Sequence, residues 1–448
     1  MSEHTLSSPP SDESLAARAE RRSFRARAAA FVRSERGIVT AAISAIGLHI
    51  VDDNFLQPQP GTSVDDHVAS GLVPISVLVA AAVLYPRLRA GLRATLATTL
   101  GAIGITIGFP GAYYILDGGA SGDHYTGLLA IAAGVVLIGV GPVALWRARR
   151  ADGTRRRRYL RRSLNAIVAA VAAPAIIALV VFPVGFSYGY THTGRIASAP
   201  ELGIPYESVT VTTSDDLELS ASYVPSRNRG AVVVFPGASA VKEARMMARH
   251  GYGVLLLDPR GQGNSEGDIV RWAGDRDLLA GAEYLQRRPD VDPERIGGFG
   301  SSVGGEILLE AAAQSSAFKA VVSEGAGLRI GERDGGIVTG PKRLLFDPAM
   351  IAVTAATTVF SNHGPPPPIA NRIGRIAPRS VFLIYADPGM GGEAERQAKY
   401  YAAAGEPKAI WKVPGASHTG GIDARPAEYE RRVIEFLDGA LLAARGAD

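Results

Sequence analysis

Ser302 stands in Gly300-Ser-Ser-Val-Gly304, with one glycine two positions before it and another two positions after. A serine at that spacing is suited to nucleophilic attack if the chain makes a sharp strand-to-helix turn, because both flanking positions must then lack side chains. The turn presents the hydroxyl at a helix N-terminus, where free backbone N–H groups and the helix dipole favour developing negative charge. Ser301 lacks the paired glycines and is read as a bystander. The pentapeptide alone is a weak signal in a chain with 52 glycines, so its weight rests on what surrounds it.

The surroundings are of the right kind. Arg295–Phe299 reads as a strand ending at the turn, and Val303–Ala313 as a helix starting at once. Upstream, Glu207–Thr213 and Leu217–Tyr223 alternate at period two around Ser214-Asp-Asp216, a β-hairpin. Strands are expected at Ala231–Phe235, Gly253–Leu257, Ala320–Ser323, Ser380–Ala386 and Ala409–Val413. Helices are expected at Ala240–His250, Asp275–Arg288, Glu393–Ala404 and Ala427–Ala443. Such β-α repetition implies a mainly parallel sheet with helices on both faces, whose ligands bind beyond the carboxyl ends of the strands.

Four stretches, in order, give residues 206–448 a resemblance to the α/β-hydrolases of the serine esterase, thioesterase and oligopeptidase-related group. They are Val232-Val-Val-Phe-Pro-Gly-Ala238, Leu257-Asp-Pro-Arg-Gly-Gln-Gly-Asn-Ser-Glu-Gly267, the Ser302 turn, and Val413-Pro-Gly-Ala-Ser-His-Thr419. The whole chain also resembles uncharacterised actinobacterial membrane proteins that carry this hydrolase at the C-terminus. The resemblance implies that Ala238 and Val303 offer backbone N–H groups to an oxyanion; Pro236 has no N–H to give. It implies a structural role for Asp258–Ser265, and places the general base at His418, on the loop after the last core strand.

The acid that would orient that base should follow Val381–Ala386. Asp387 comes slightly early, directly before Pro388, and Glu393 comes slightly late, after a glycine-rich loop. Glu393 is preferred, Asp387 stays open, and Glu324 is a distant third. Residues 325–379 form an insertion, helical over Lys342–Val359, that reads as a cap over the pocket.

The first half is different in kind. Apolar segments at Gly37–Val51, Gly71–Tyr85, Ala94–Leu116, Gly127–Trp146 and Leu164–Tyr190 suit membrane-spanning helices, the first two only with help from their flanks. Arginines precede the first segment and fill alternate connections, whereas Asp52–Ser70 and Asp117–Thr126 contain neither Lys nor Arg. The positive-inside rule then puts the N-terminus in the cytoplasm and, after five crossings, the hydrolase outside. Residues 1–36 read as a basic cytoplasmic tail without the apolar core of a cleaved signal, 37–190 as a five-helix transmembrane region and 191–205 as a linker. On the outer side fall His49, Asp52, Asp53, Asp65, Asp66, His67, Asp117, Asp123 and His124, read as solvated membrane ends rather than as a metal site.

With 47 basic and 43 acidic residues the balance gives no nucleic-acid signal, and the absence of cysteine excludes disulfides and thiolate catalysis. The expectation is a multi-pass cell-membrane serine hydrolase for an ester or thioester of a small molecule or lipid, in contact with membrane lipids and needing no cofactor or metal. Peptides are less favoured because no separate substrate-selecting domain is visible. The rivals are a catalytically silent receptor or scaffold, an acyltransferase acting on cell-envelope lipids, and a transporter or lipid-handling module with an accessory hydrolase.

Overall fold

The computed structural model describes residues 34–58, 60–118, 123–148, 155–192, 202–236, 240–269, 271–327, 340, 343–389 and 392–443. Among them, five helices are long and apolar enough to cross a membrane: Glu35–Leu56, Val64–Arg87, Ala90–Ala112, Tyr125–Arg147 and Ile167–Thr191. The first two outrun their apolar cores because short turns of π and 3-10 helix prolong them.

The chain divides into two compact units, residues 1–53 with 72–162 and residues 54–71 with 163–448. The fifth helix and the 54–71 connection have their packing partners in the hydrolase half.

The first unit contains α1 (Glu35–Val51), most of α2 (Val68–Leu84), α3 (Ala90–Gly118) and α4 (Asp123–Arg147). Helices α3 and α4 approach through small residues. A Cβ at Gly101 would lie 2.6 Å from the Gly134 carbonyl oxygen, and one at Gly108 would collide with that of Gly127. Close packing of small residues is how apolar helices associate where burial from water gives no drive. A polar chain crosses this unit: Thr126 donates to Asp52 Oδ2 at 2.8 Å and lies 3.1 Å from His49 Nδ1.

The second unit takes most of α5 (Arg155–Ile176), which runs through a π turn, Ile177–Val181, into α6 (Phe182–Thr191). An eight-stranded sheet follows in the order β1-β2-β4-β3-β5-β6-β7-β8. Its strands are β1 (Glu207–Thr212), β2 (Glu218–Val224), β3 (Ala231–Phe235), β4 (Gly253–Leu257), β5 (Ile296–Ser301), β6 (Ala320–Glu324), β7 (Ser380–Pro388) and β8 (Lys408–Ala416). The β1–β2 hairpin is antiparallel, β2 pairs antiparallel with β4, and the remaining neighbours are parallel. Helices α7 (Val241–Arg249), α8 (Gly274–Gln286), α9 (Val303–Gln314), α10 (Arg343–Ser361), α11 (Glu393–Ala403), α12 (Gly421–Ala424) and α13 (Pro426–Leu437) complete it.

The pleat sends alternate residues of each central strand to opposite cores. Val233, Phe235, Leu255 and Leu257 join one apolar cluster, and Val232, Val234, Val254 and Leu256 join the other. Strands apolar on both faces cannot sit at a wet surface, which is why they read as unbroken runs.

The insertion expected as a cap contributes one described helix of length, α10. Helix α10 lies along α6: Ser187 Oγ donates to the Val353 carbonyl at 3.1 Å, Thr357 Oγ1 donates to Ser187 Oγ at 2.9 Å, and the Tyr188 and Phe360 rings meet edge to face. Ala349, Val353, Thr357 and Phe360 form its buried stripe, and α10 packs against the fifth apolar helix. Residues 328–339 and 341–342 of the insertion lie outside the described residues.

Candidate active site

The sheet brings the ends of β3, β5, β6, β7 and β8 together. Ser302 follows β5 directly, at φ 53° and ψ −120°, a conformation L-residues rarely hold. It is held there by its own N–H donating to the Glu324 carbonyl at 2.8 Å, and by its carbonyl accepting from Gly305 at 3.0 Å. Both glycines are demanded by close approach. A Cβ at Gly300 would lie 2.5 Å from the Gly304 carbonyl oxygen, and one at Gly304 would strike the carbonyl of Phe235 at the end of β3.

Ser302 Oγ lies 2.9 Å from His418 Nε2, and His418 Nδ1 lies 2.9 Å from Glu393 Oε2. Glu393 is 1% exposed, and its other oxygen accepts from the Ala386 N–H at 3.0 Å. A buried carboxylate fixed at one oxygen by the backbone can hold an imidazole with Nδ1 protonated, leaving Nε2 as acceptor for the serine hydroxyl. Asp387 is elsewhere: its carboxylate meets Lys412 Nζ at 2.7 Å on an exposed surface.

Ser302 opens onto a cavity of about 190 Å³ lined by Phe235, Pro236, Ile269, Val303 and Ile307 among others. Val303 is the first residue of α9, where N–H groups have no partner within the helix. Ala238 lies outside the described residues. Arg260, also at the cavity, is clamped between Asp277 Oδ1 at 2.7 Å and Asp215 Oδ2 at 2.9 Å, and these carboxylates hold its guanidinium firmly protonated. Ser265 ties Asp258 to β2, accepting from Ser220 N–H and donating to the Asp258 carbonyl.

A second carboxylate supports the histidine loop. Glu324, buried at the end of β6, accepts from the Gly421 N–H at 3.0 Å and from Tyr429 Oη at 2.5 Å. Gly325, at φ +65°, then passes so close that a Cβ would stand 3.0 Å from His418 Cε1. The sequence placed Glu324 at a strand end but gave no hint of Tyr429, which comes from α13, 105 positions away.

Behind this loop lies Glu243, whose carboxyl burial pushes up from 4.5 to about 7, with the charge of Glu324 adding to the shift. A folded-state value above the unfolded one penalises the ionised native protein. The contribution of this group to stability is therefore most favourable below about pH 4.5, falls as pH rises towards 7, and is flat above. Glu243→Gln should raise the melting temperature clearly at pH 8, recovering at most roughly 3 kcal/mol, and much less at pH 5. Thermal-shift curves of the two proteins at both pH values check this, and an equal difference at each would refute it.

Of the acidic and histidine residues expected on the outer side, His49 and Asp52 join through Thr126, whereas Asp66 accepts from the Ser63 N–H at 2.8 Å. His67 lies 3.6 Å from Asp268. The side chains of Asp117, Asp123 and His124 lie outside the described residues. Among the described residues, no group of three or more His, Asp or Glu is arranged to hold a metal ion.

Residues 199–413 match the family model described as X-Pro dipeptidyl-peptidase (S15 family). The chain is 30% identical over 272 residues to the uncharacterized protein Rv2307c of Mycobacterium tuberculosis, covering 56% of this chain and 86% of that protein. It is 33% identical over 130 residues to the thiohydrolase aneE of Aspergillus aculeatus, covering 26% and 41% respectively. Among solved structures, the alpha/beta hydrolase GrgF from Penicillium sp. sh18 is similar at a TM-score of 0.43 and 21% identity, over 53% of this chain and 100% of that one.

Proposed function

This chain belongs to the α/β-hydrolase superfamily, and from that premise we propose that it is a membrane-anchored serine hydrolase acting on an ester or thioester. The observation that carries the reading is the line of contacts from Ser302 Oγ through both nitrogens of His418 to Glu393. In the proposed reaction, Ser302 Oγ attacks the acyl carbonyl carbon while His418 Nε2 takes its proton. Negative charge on the carbonyl oxygen is met by the Val303 N–H and by the chain after Pro236, where Ala238 is the expected donor. The tetrahedral adduct collapses, the bond to the leaving oxygen or sulfur breaks, and His418 returns the proton to that atom. Water, deprotonated by the same nitrogen, then releases the acid and restores Ser302. Glu393 keeps Nδ1 protonated and offsets the charge of the imidazolium.

The five apolar helices and the alternation of arginine-rich connections support a multi-pass anchor with the hydrolase outside the cytoplasm. A peptidase is the second reading, favoured by the description of the matching family model. A fluorophosphonate probe tests the nucleophile: wild type and Ser301→Ala should label, and Ser302→Ala should not. Unlabelled wild type, with the protein folded, would favour a silent scaffold. Comparing short-chain thioesters and esters with X-Pro amides then separates the two readings, and faster turnover of the amides would reverse the preference stated here.

A further inference from the structure

Helix α10 has the wrong outer face for water. Its exposed stripe is Leu344, Pro348, Ile351 and Ala355, spaced as one side of a helix, and no charged residue occurs from Pro348 to Ser361. Leu344 is 83% exposed and Ile351 46%. A surface helix of a water-soluble domain carries polar residues on that side, and one that is apolar all round belongs in a core or in lipid.

What covers the stripe is indicated by the element beneath it. Ser187 meets Val353 and Thr357, while His192, about one turn further along α6, meets Phe360, about one turn further along α10. The two helices therefore run in the same direction, and the start of α10 faces the π turn at Ile177–Val181. That part of the fifth helix presents Ile177, Val180, Phe182 and Phe186 outwards, so the apolar stripe of α10 continues an apolar surface already suited to a bilayer. Hydroxyl bonds between apolar helices, as at Ser187 and Thr357, suit association within lipid.

We propose that α10 is immersed in one leaflet of the membrane beside the fifth helix, an inference that rests on that helix spanning the bilayer. Both ends of the insertion are rooted in the sheet, at Gly325 after β6 and at Ser380 opening β7. Its length, 19 residues or about 28 Å, reaches deep into a hydrocarbon core about 30 Å thick only if it stands steeply, as its parallel packing on α6 requires. The root of this lipid-immersed segment is Gly325, the glycine packed against His418. The first charged groups of α10, Arg343 and Asp347, pair at 3.1 Å, which lowers the cost of placing them at depth.

The absence of cysteine makes the test direct, since a single introduced thiol carries a single label. Leu344→Cys, Ile351→Cys, Val180→Cys and Glu435→Cys are each labelled with an environment-sensitive nitrobenzoxadiazole dye. The full chain is then placed in phosphatidylcholine–phosphatidylglycerol vesicles and quenched with spin-labelled phosphatidylcholine or aqueous iodide. The labels at Leu344→Cys and Ile351→Cys should be quenched by the lipid probe nearly as well as that at Val180→Cys, and several-fold more than that at Glu435→Cys. Iodide quenching of both α10 labels while Val180→Cys stays lipid-quenched overturns the proposal alone. Protection of both α10 labels from either quencher also overturns it, because protein then covers the stripe. If Val180→Cys itself behaves as Glu435→Cys does, the spanning reading falls and this inference falls with it.

Discussion

His418→Ala should lower turnover of an activated short-chain ester by about 10⁴–10⁶-fold, and the Ser302→Ala, His418→Ala double variant should be no worse than either single one. The reason is the shared proton. Ser302 Oγ lies 2.9 Å from His418 Nε2, so the hydroxyl becomes a competent nucleophile only as its proton moves to that nitrogen. Once either partner is missing, the other has no remaining role, and losses that act through one step do not add. His418 is only partly buried, on the loop after β8, so its removal leaves the sheet intact and a melting curve near that of wild type is expected. Residual activity from the oxyanion donors and the cavity should stay measurable above the uncatalysed rate. Single losses of less than about ten-fold, or losses that multiply in the double variant, would show that the two side chains do not act as one unit.

How much of this was legible beforehand follows from where each signal resides. The strands of the sheet read well because apolar runs such as Ala231–Phe235 and Gly253–Leu257 are short, bounded by turn residues and buried on both faces. The Ser302 turn read well because its glycines answer steric contacts with fixed positions, Gly304 and the end of β3. The partnership of α10 did not read. Its apolar periodicity announces a face to bury, yet period alone names no partner, and the pocket and the fifth helix are equally apolar candidates. The grouping of 54–71 with the hydrolase was hidden for a similar reason: Gly267 donates to the Pro60 carbonyl at 2.8 Å, a backbone contact that leaves no mark in side-chain type. The bond from Tyr429 to Glu324 joins distant positions through two residue types common at any surface.

The choice between the two carboxylates yields the last expectation. Glu393→Gln should cost about 10²–10⁴ in kcat with little change in KM, whereas Asp387→Asn should stay within about two-fold. Glutamine keeps the shape and can still accept from the Ala386 N–H, so folding is retained. It loses the charge facing His418 Nδ1 at 2.9 Å, and its amide can donate to that nitrogen instead, which favours the tautomer with its proton on Nε2. That tautomer cannot accept from Ser302, and the imidazolium formed during attack has no counter-charge beside it. Asp387 instead pairs with Lys412, at an exposed surface where an ion pair adds little to stability. Sequence order alone could not separate the two, because the glycine-rich loop lets Glu393 turn back until it bonds the backbone seven positions earlier. Steady-state kinetics of both variants, each with a melting curve to show that it is folded, decide the matter. A large loss in Asp387→Asn with Glu393→Gln near wild type would move the acid to the strand end and remove Glu393 from the mechanism.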